Sequence, residues 1–293
     1  MQKEVYGSLC HRRFREPVQK TSNKSNRAFP DTTFPMKEHY VTGLKNLAIT
    51  AFFAVSSLTG VAHAQKNYVG VAVGVLPIYE GSSEYRLIPT PIINYHSGSF
   101  FITPRAGLPA MGFKSKITSE LEAGVFVGLG LGRDASRADR TKGLNDIKFH
   151  GNYGAYLEWT PGDSSLGIAY RQAARSGYGA TVDLRASHAV WQSGGHRIRL
   201  GAGTQWVNRD AMQTWYGITP QQSAQSEAGL SSYSPSSGFK SASIFTVWTF
   251  QMTPQWSTTG TLGVSTLLGN AKNSPLTEKS TNAFGSIGIV YSF

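Results

Sequence analysis

Beyond residue 64 the sequence holds four histidines, His96, His150, His188 and His196, the side chain best suited to moving protons near neutral pH. None stands in H-E-x-x-H spacing, and no carboxylates lie at metal-ligand spacing from them. A G-x-S-x-G nucleophile turn does not occur. The run "GVFVGLGLG" at 124–132 has the glycines of a phosphate loop, yet no Lys-Ser/Thr pair closes it and no helix pattern follows. His150 beside Asn152, or His96, would be the positions for a surface hydrolase, but no nucleophile accompanies either at a fixed spacing. The sequence therefore points to a non-enzyme, with no catalytic or metal-binding residue and no cofactor.

The remaining chemistry is charge, and its sign depends on which elements carry it. Of 28 Lys/Arg and 17 Asp/Glu in the chain, nine and four fall within residues 1–64, which leaves a net charge of +6 beyond them. No Lys/Arg block interleaved with aromatics is present, so nucleic acid is not an expected partner. The single cysteine, Cys10, lies in the early segment, which rules out disulfides beyond it.

Alternation with period two is the dominant pattern after residue 66. In "SELEAGVFVGLGLG", Leu121, Ala123, Val125, Val127, Leu129 and Leu131 alternate with Glu122, Gly124, Phe126, Gly128 and Gly130. "DIKFHGNYGAYLEW" sets Ile147, Phe149, Tyr153, Ala155, Leu157 and Trp159 against Lys148, His150, Asn152, Gly154, Tyr156 and Glu158. Twelve such runs are expected, at roughly 67–76, 85–96, 99–107, 110–116, 119–131, 146–159, 164–173, 178–190, 197–208, 239–252, 256–268 and 281–293. Several reach ten residues, the length with which a tilted strand crosses a bilayer. Short links such as "SG", "TPGD" and "TPQ" alternate with long ones, apart from a brief link near Pro109. That rhythm, with an even strand number, predicts an all-β fold: a closed transmembrane antiparallel β-barrel of about twelve strands in a bacterial outer membrane, its apolar face toward lipid. Its surroundings would be outer-membrane lipid and lipopolysaccharide.

Parity then assigns the charges. Arg86, Arg105, Lys148, Arg171, Arg185, Arg199 and Lys240 are expected to face the lumen, against Glu122, Glu158 and Asp183. This set suits either a charge network bridging a filled lumen or a narrow passage that favours anions. The long 209–238 segment is polar but carries Trp215, Tyr216, Leu230 and Tyr233, as a lid folded over the mouth or a surface that docks a partner would.

The ends carry addresses. Residues 36–64 read as a secretory signal peptide: Lys37 and Lys45, an uncharged run from Leu47 to Val61, then the small-x-small site Ala62-His63-Ala64, with cleavage after Ala64. Residues 1–35 read as an upstream extension, untranslated or disordered, which leaves 65–293 as the barrel. At the other end "SIGIVYSF" resembles the terminal signal read by the bacterial barrel-assembly machinery, with Ser286, Gly288, Tyr291 and Phe293 in the key places.

Three segments carry a family resemblance. "YGITPQQSAQSEAGLSSYSPSSGFK" is similar to the Y-G-[VI]-[TS]-x-x-Q…S-G-L…Y-x-x-x-x-G segment of the MipA/OmpV family of Gram-negative outer-membrane proteins, departing from it at "SEAGL". "PIYEGSSEYRLIPTPIINY" resembles that family's first loop and second strand, and "LGLGRD…GLNDI" its Gly-Arg motif. The resemblance implies an outer-membrane barrel without catalytic residues. It further implies a scaffold that joins a murein lytic transglycosylase to a bifunctional penicillin-binding protein in peptidoglycan remodelling. Uptake of small anionic solutes, or an envelope-stress or adhesion role of the outer loops, is the alternative.

Overall fold

The computed structural model describes residues 67–105 and 108–293, the side chains of Arg105 and Leu108 excepted. The expected extension and signal peptide, with Ala62 and Ala64, lie outside the described residues.

Twelve strands form in chain order: β1 (Tyr68–Pro77), β2 (Tyr85–Ser97), β3 (Phe100–Arg105), β4 (Leu108–Lys116), β5 (Leu121–Gly130), β6 (His150–Trp159), β7 (Ser164–Ala173), β8 (Ala180–Ser193), β9 (His196–Val207), β10 (Gly238–Gln251), β11 (Trp256–Leu267) and β12 (Thr281–Ser292). Each pairs antiparallel with its sequence neighbours, and β1 pairs with β12 to close the barrel. The closing ladder runs from Tyr68 opposite Ser292 to Val75 opposite Gly285. Closure gives every strand two partners and leaves no open edge, which is what a sheet in hydrocarbon requires.

The alternation maps onto two faces. Val69, Val71, Val73 and Val75 of β1, Val125, Val127 and Leu129 of β5, and Ile287, Ile289 and Tyr291 of β12 are all exposed on the outer wall. Phe293 continues that row, 63% exposed, while its backbone N–H donates to Asn67 O at 2.9 Å and ties the chain end to the sheet. Aromatic rings collect on the outer wall near the short turns. Trp256 lies 5.0 Å from Tyr291, and His196 stacks on Phe250 at 4.2 Å while accepting from Trp248 Nε1. A girdle of this kind sits where lipid meets water.

The inner face is less polar than parity with charge suggests. Ala72, Leu76, Ile88, Ile92 and Val290 form a buried inner cluster, and Phe101, Ala110, Phe126 and Tyr156 form another. Inner glycines make room for these rings. A Cβ on Gly124 would strike the Tyr156 ring, one on Gly154 would strike Phe126, and one on Gly201 would strike Phe245.

Among the boundaries that differ from expectation, three have a clear cause in the pairing. β6 begins at His150, because the chain before it turns back on itself: Arg133 and Ile147 exchange both backbone hydrogen bonds at 2.8 Å. Ile147 is therefore buried in a loop, not exposed on the outer wall. β8 runs on to Ser193, since a bulge between Ala189 and Trp191 carries the ladder to a turn at Gly194 and Gly195. Pro109, expected in a link, is instead within β4, opposite Pro104.

Candidate functional site

The inner wall holds a chain of charged pairs. Asp183, 3% exposed on β8, accepts from Gln205 Nε2 at 2.6 Å and lies 3.4 Å from Arg171 Nη2. Three strands along the wall, Glu122 of β5 meets Lys114 Nζ of β4 at 2.9 Å and accepts from Tyr156 OH at 2.7 Å. Arg199, 3% exposed, donates from Nη2 to Ser187 Oγ at 2.9 Å. Glu158 and Arg185 are placed in one row, each opposite Gly167 of the strand between them. The register brings these groups inward because each shares the parity of its strand's shielded face and alternates with exposed apolar residues such as Ile168 and Tyr170 beside Arg171.

One expected lumen position, Lys148, stands elsewhere, and a second, Lys240, sits at a register shift near the mouth. Lys148 lies before β6 in the 131–149 loop, exposed and paired with Asp146 at 2.8 Å, because the Arg133–Ile147 bridge ends the strand before reaching it. Lys240 occupies a bulge between Phe239 and Ser241 and reaches up to Glu80 Oε2 at 2.7 Å. Arg105 closes β3, and its side chain lies outside the described residues. Parity also brings in Lys114 and Arg197, which the sequence reading passed over. Lys114 sits one residue from outward-facing Phe113, and that alternation was the available signal.

Above the inner charges, four long loops pack into a cap. Its helices are α1 (Arg209–Tyr216), α2 (Pro220–Gln225) and α3 (Gly269–Lys272), with short 3-10 turns at Ala135–Arg137 and Asp139–Thr141. Asn208 caps α1 by accepting from Ala211 N, and Thr219 with Gln222 forms a reciprocal capping box on α2. Ala211, Met212 and Tyr216 then pack with Ala271 on Val207 and Leu267, the inward-facing ends of β9 and β11. A second apolar cluster joins Ala135, Leu144, Ile218, Leu230 and Leu276, with Tyr233 against it.

Polar bonds stitch the same loops. Tyr216 OH donates to Glu80 Oε2 at 2.8 Å, so Glu80 joins the 209–237 segment to Lys240 on the wall. Tyr79 OH donates to Leu276 O and to Glu278 Oε2, both at 3.0 Å. Arg133 Nη1 donates to Trp215 O at 3.0 Å, and Arg140 Nη2 to Pro275 O at 2.6 Å. Burial, helped by Glu80, pushes the Tyr216 phenol well above its ordinary range, and burial with Glu278 pushes Tyr79 up. Burial depresses Arg133. Asp146 is held low by Lys148 and by the Ala135 N–H it accepts. Trp215, Tyr216, Leu230 and Tyr233 all stand in this cap. Glu80, Arg133 and Glu278 stand with them; they come from loops without periodicity, and only the family-like segments "PIYEGSSEYRLIPTPIINY" and "LGLGRD…GLNDI", which hold Glu80 and Arg133, mark two of them in the sequence.

The histidines are held apart from nucleophiles or incomplete. His150 Nδ1 is 2.9 Å from Lys148 O, and His96 Nε2 is 3.1 Å from Asn94 Oδ1. Ser164 Oγ does meet His188 Nδ1 at 2.9 Å, on the outer wall beside a short turn. Among the described residues no carboxylate bonds to that imidazole, and no group of three or more His, Cys, Asp or Glu side chains is placed to hold a metal ion.

Comparison with known proteins adds identity to this geometry. A family model described as MltA-interacting protein MipA matches residues 69–293. Two curated relatives, each named MltA-interacting protein, come from Escherichia coli (strain K12) and Shigella flexneri. Each is 26% identical over 268 residues, covering 86% of this chain and 100% of the relative. Among solved structures, a bacterial polysaccharide outer membrane secretin is 10% identical with a TM-score of 0.41, covering 78% of this chain and 99% of that one. An outer membrane channel from Pseudomonas putida F1 is 10% identical with a TM-score of 0.37, covering 80% and 97%. Those scores are too low to carry an argument; the closed register and the girdled apolar wall carry the fold. An even-stranded antiparallel barrel with that wall is an outer-membrane barrel, and the outer membrane is where the protein resides. The family model spans the barrel from its first strand to its last residue, and the chain belongs to the MltA-interacting protein MipA family.

Proposed function

We propose that the protein is a non-enzymatic outer-membrane scaffold that binds a murein lytic transglycosylase and brings it to a bifunctional penicillin-binding protein during cell-wall remodelling. Membership of a family whose curated relatives are named MltA-interacting protein carries this reading. The geometry supports it: rings and paired charges occupy the inner wall and packed loops cap the mouth, so interaction falls to the rims. The rim of short turns, which faces the periplasm, offers Glu120, Asp163, Ser193 and Gln255 as contacts. Affinity-tagged full-length protein, extracted in mild detergent, is expected to retain a lytic transglycosylase. An intact barrel that repeatedly comes away without one contradicts the scaffold.

Uptake of small anions is the second reading, favoured by one observation. Inward basic groups outnumber acidic ones, and Arg86, Arg171 and Arg199 each keep buried guanidinium nitrogens without a protein partner. Planar-bilayer recordings that show no conductance above background, before and after deletion of residues 209–237, would remove it.

A further inference from the structure

Strand β2 is laddered along its length on one side and barely on the other. Toward β1 its pairing runs from Tyr85 opposite Pro77 to Asn94 opposite Tyr68. Toward β3, among the described residues, it ends after three pairs beside the short turn: Ser97–Phe100, His96–Phe101 and Tyr95–Ile102. Two bonds at the ends of β2 show which backbone groups face that weak side. Ile78 N–H donates to Glu84 O at 2.9 Å and His96 N–H to Asn67 Oδ1 at 2.8 Å, so even-numbered residues turn their N–H and C=O toward β1. Odd-numbered residues turn theirs toward β3, and beyond Tyr95 these are Ile93, Pro91, Pro89 and Leu87. On β3 the same alternation, set by Ile102 opposite Tyr95, aims Pro104 at β2. Proline has no N–H to give. Three prolines therefore stand at this junction where a longer ladder would draw its donors. β3 also ends at Arg105, three residues beyond Ile102, so Leu87, Pro89 and Pro91 rise above its last residue.

This junction lies at the level of membrane hydrocarbon. Val69, Val71, Val73 and Val75, which face Ile93, Pro91, Pro89 and Leu87 across the β1–β2 ladder, are all exposed on the outer wall, and Leu87 itself is 70% exposed. Its rungs sit at the short-turn end, so the weakly held part belongs to the half nearer the cap, the outer leaflet. Behind it the inner surface is apolar, built from Leu76, Ile88 and Ile92, all buried. Prolines on an edge keep another strand from adding to it. What fits here is therefore a group that neither gives nor takes hydrogen bonds and is apolar along its whole length. We propose that the β2–β3 junction is a lateral gate in the barrel wall, which parts to admit an acyl chain of an outer-leaflet lipid onto Ile88 and Ile92. Few rungs make this the least costly place for the wall to open, and the prolines leave few donors unmatched in hydrocarbon when it does. The gate does not depend on the scaffold reading and survives its failure.

The test uses full-length protein in phosphatidylcholine nanodiscs doped with a phospholipid that carries a diazirine on one acyl chain. After illumination, mass spectrometry locates the labelled residues. Label is expected on Ile88 and Ile92 as well as on outward Leu87. None is expected on Phe245 or Val247, buried inner residues of β10, whose ladders run along both of its sides. Asn94→Cys combined with Thr103→Cys occupies the next rung of the register and staples the junction when oxidised. The staple is expected to cut labelling of Ile92 about tenfold or more while sparing Leu87, because the strands no longer part, and reduction should restore it. Label on Leu87 without any on Ile88 and Ile92 overturns the proposal. Label spread equally onto Phe245 and Val247, or an Ile92 signal that oxidation does not change, overturns it as well. Where the two cysteines fail to join, the wild-type pattern alone decides.

Discussion

Single inner residues show how charge is stored in the barrel. Lys114 and Glu122 keep little solvent contact, 8% and 15% for their side chains, and Tyr156 donates to the same carboxylate. Removing one member leaves a shielded charge behind. Lys114→Ala should therefore cost about 2–3 kcal/mol, somewhat less than for a fully buried pair because Tyr156 still serves Glu122. Urea unfolding of the detergent-solubilised barrel measures it, and an unshifted midpoint would show that the pair contributes nothing. Acid and base act on the cap instead. Asp146 and Asp134 have folded-state values below their ordinary 3.8, so their contribution is present above that value and is lost as pH falls below it. Tyr79 and Tyr216 have folded-state values above 10.0, so their contribution is whole below 10.0 and declines as pH rises beyond it. The fluorescence of Trp215, isolated by difference against Trp215→Phe, should stay level between about pH 4 and pH 10 and change at both ends. A transition near neutral pH would contradict these assignments.

At the scale of elements, the sequence was legible wherever one face meets lipid. Lipid demands apolar side chains without exception along Val69–Val75 or Ile287–Phe293, and period two is then unmistakable. The inner face has no such uniform solvent. Ile88, Ile92 and Phe126 share it with Arg86 and Glu122, so period two shows which residues face inward but not how polar that face is. Loops carry no period at all. Ile147 continued the β6 alternation in sequence, yet its pairing with Arg133 diverted it into the cap, and Lys148 went with it. Inner glycines divide into two kinds that sequence does not distinguish. A Cβ on Gly124 meets the Tyr156 ring and Phe113 O, whereas one on Gly167 meets only Leu157 O at 3.7 Å. Gly124→Ala should cost about 1–3 kcal/mol through overpacking, while Gly167→Ala should stay within about 0.5 kcal/mol of wild type. Thermal loss of heat-modifiable gel mobility compares them, and equal behaviour would mean that the rings have room to move.

The described residues form a barrel lined inside with rings and paired charges, capped by its own long loops at one end and trimmed to short turns at the other. This asymmetry shapes the scaffold account. The large folded surface faces outward, while the periplasmic enzymes it is proposed to hold would reach only the turn rim. The most direct measurement places photo-crosslinkers in living cells at Ser193 and Gln255 on that rim and at Ala228 in the cap. All three are exposed positions. A murein hydrolase or synthase is expected to be captured at Ser193 or Gln255 and not at Ala228. Rim positions that capture only the barrel-assembly machinery or lipopolysaccharide transport components would contradict it.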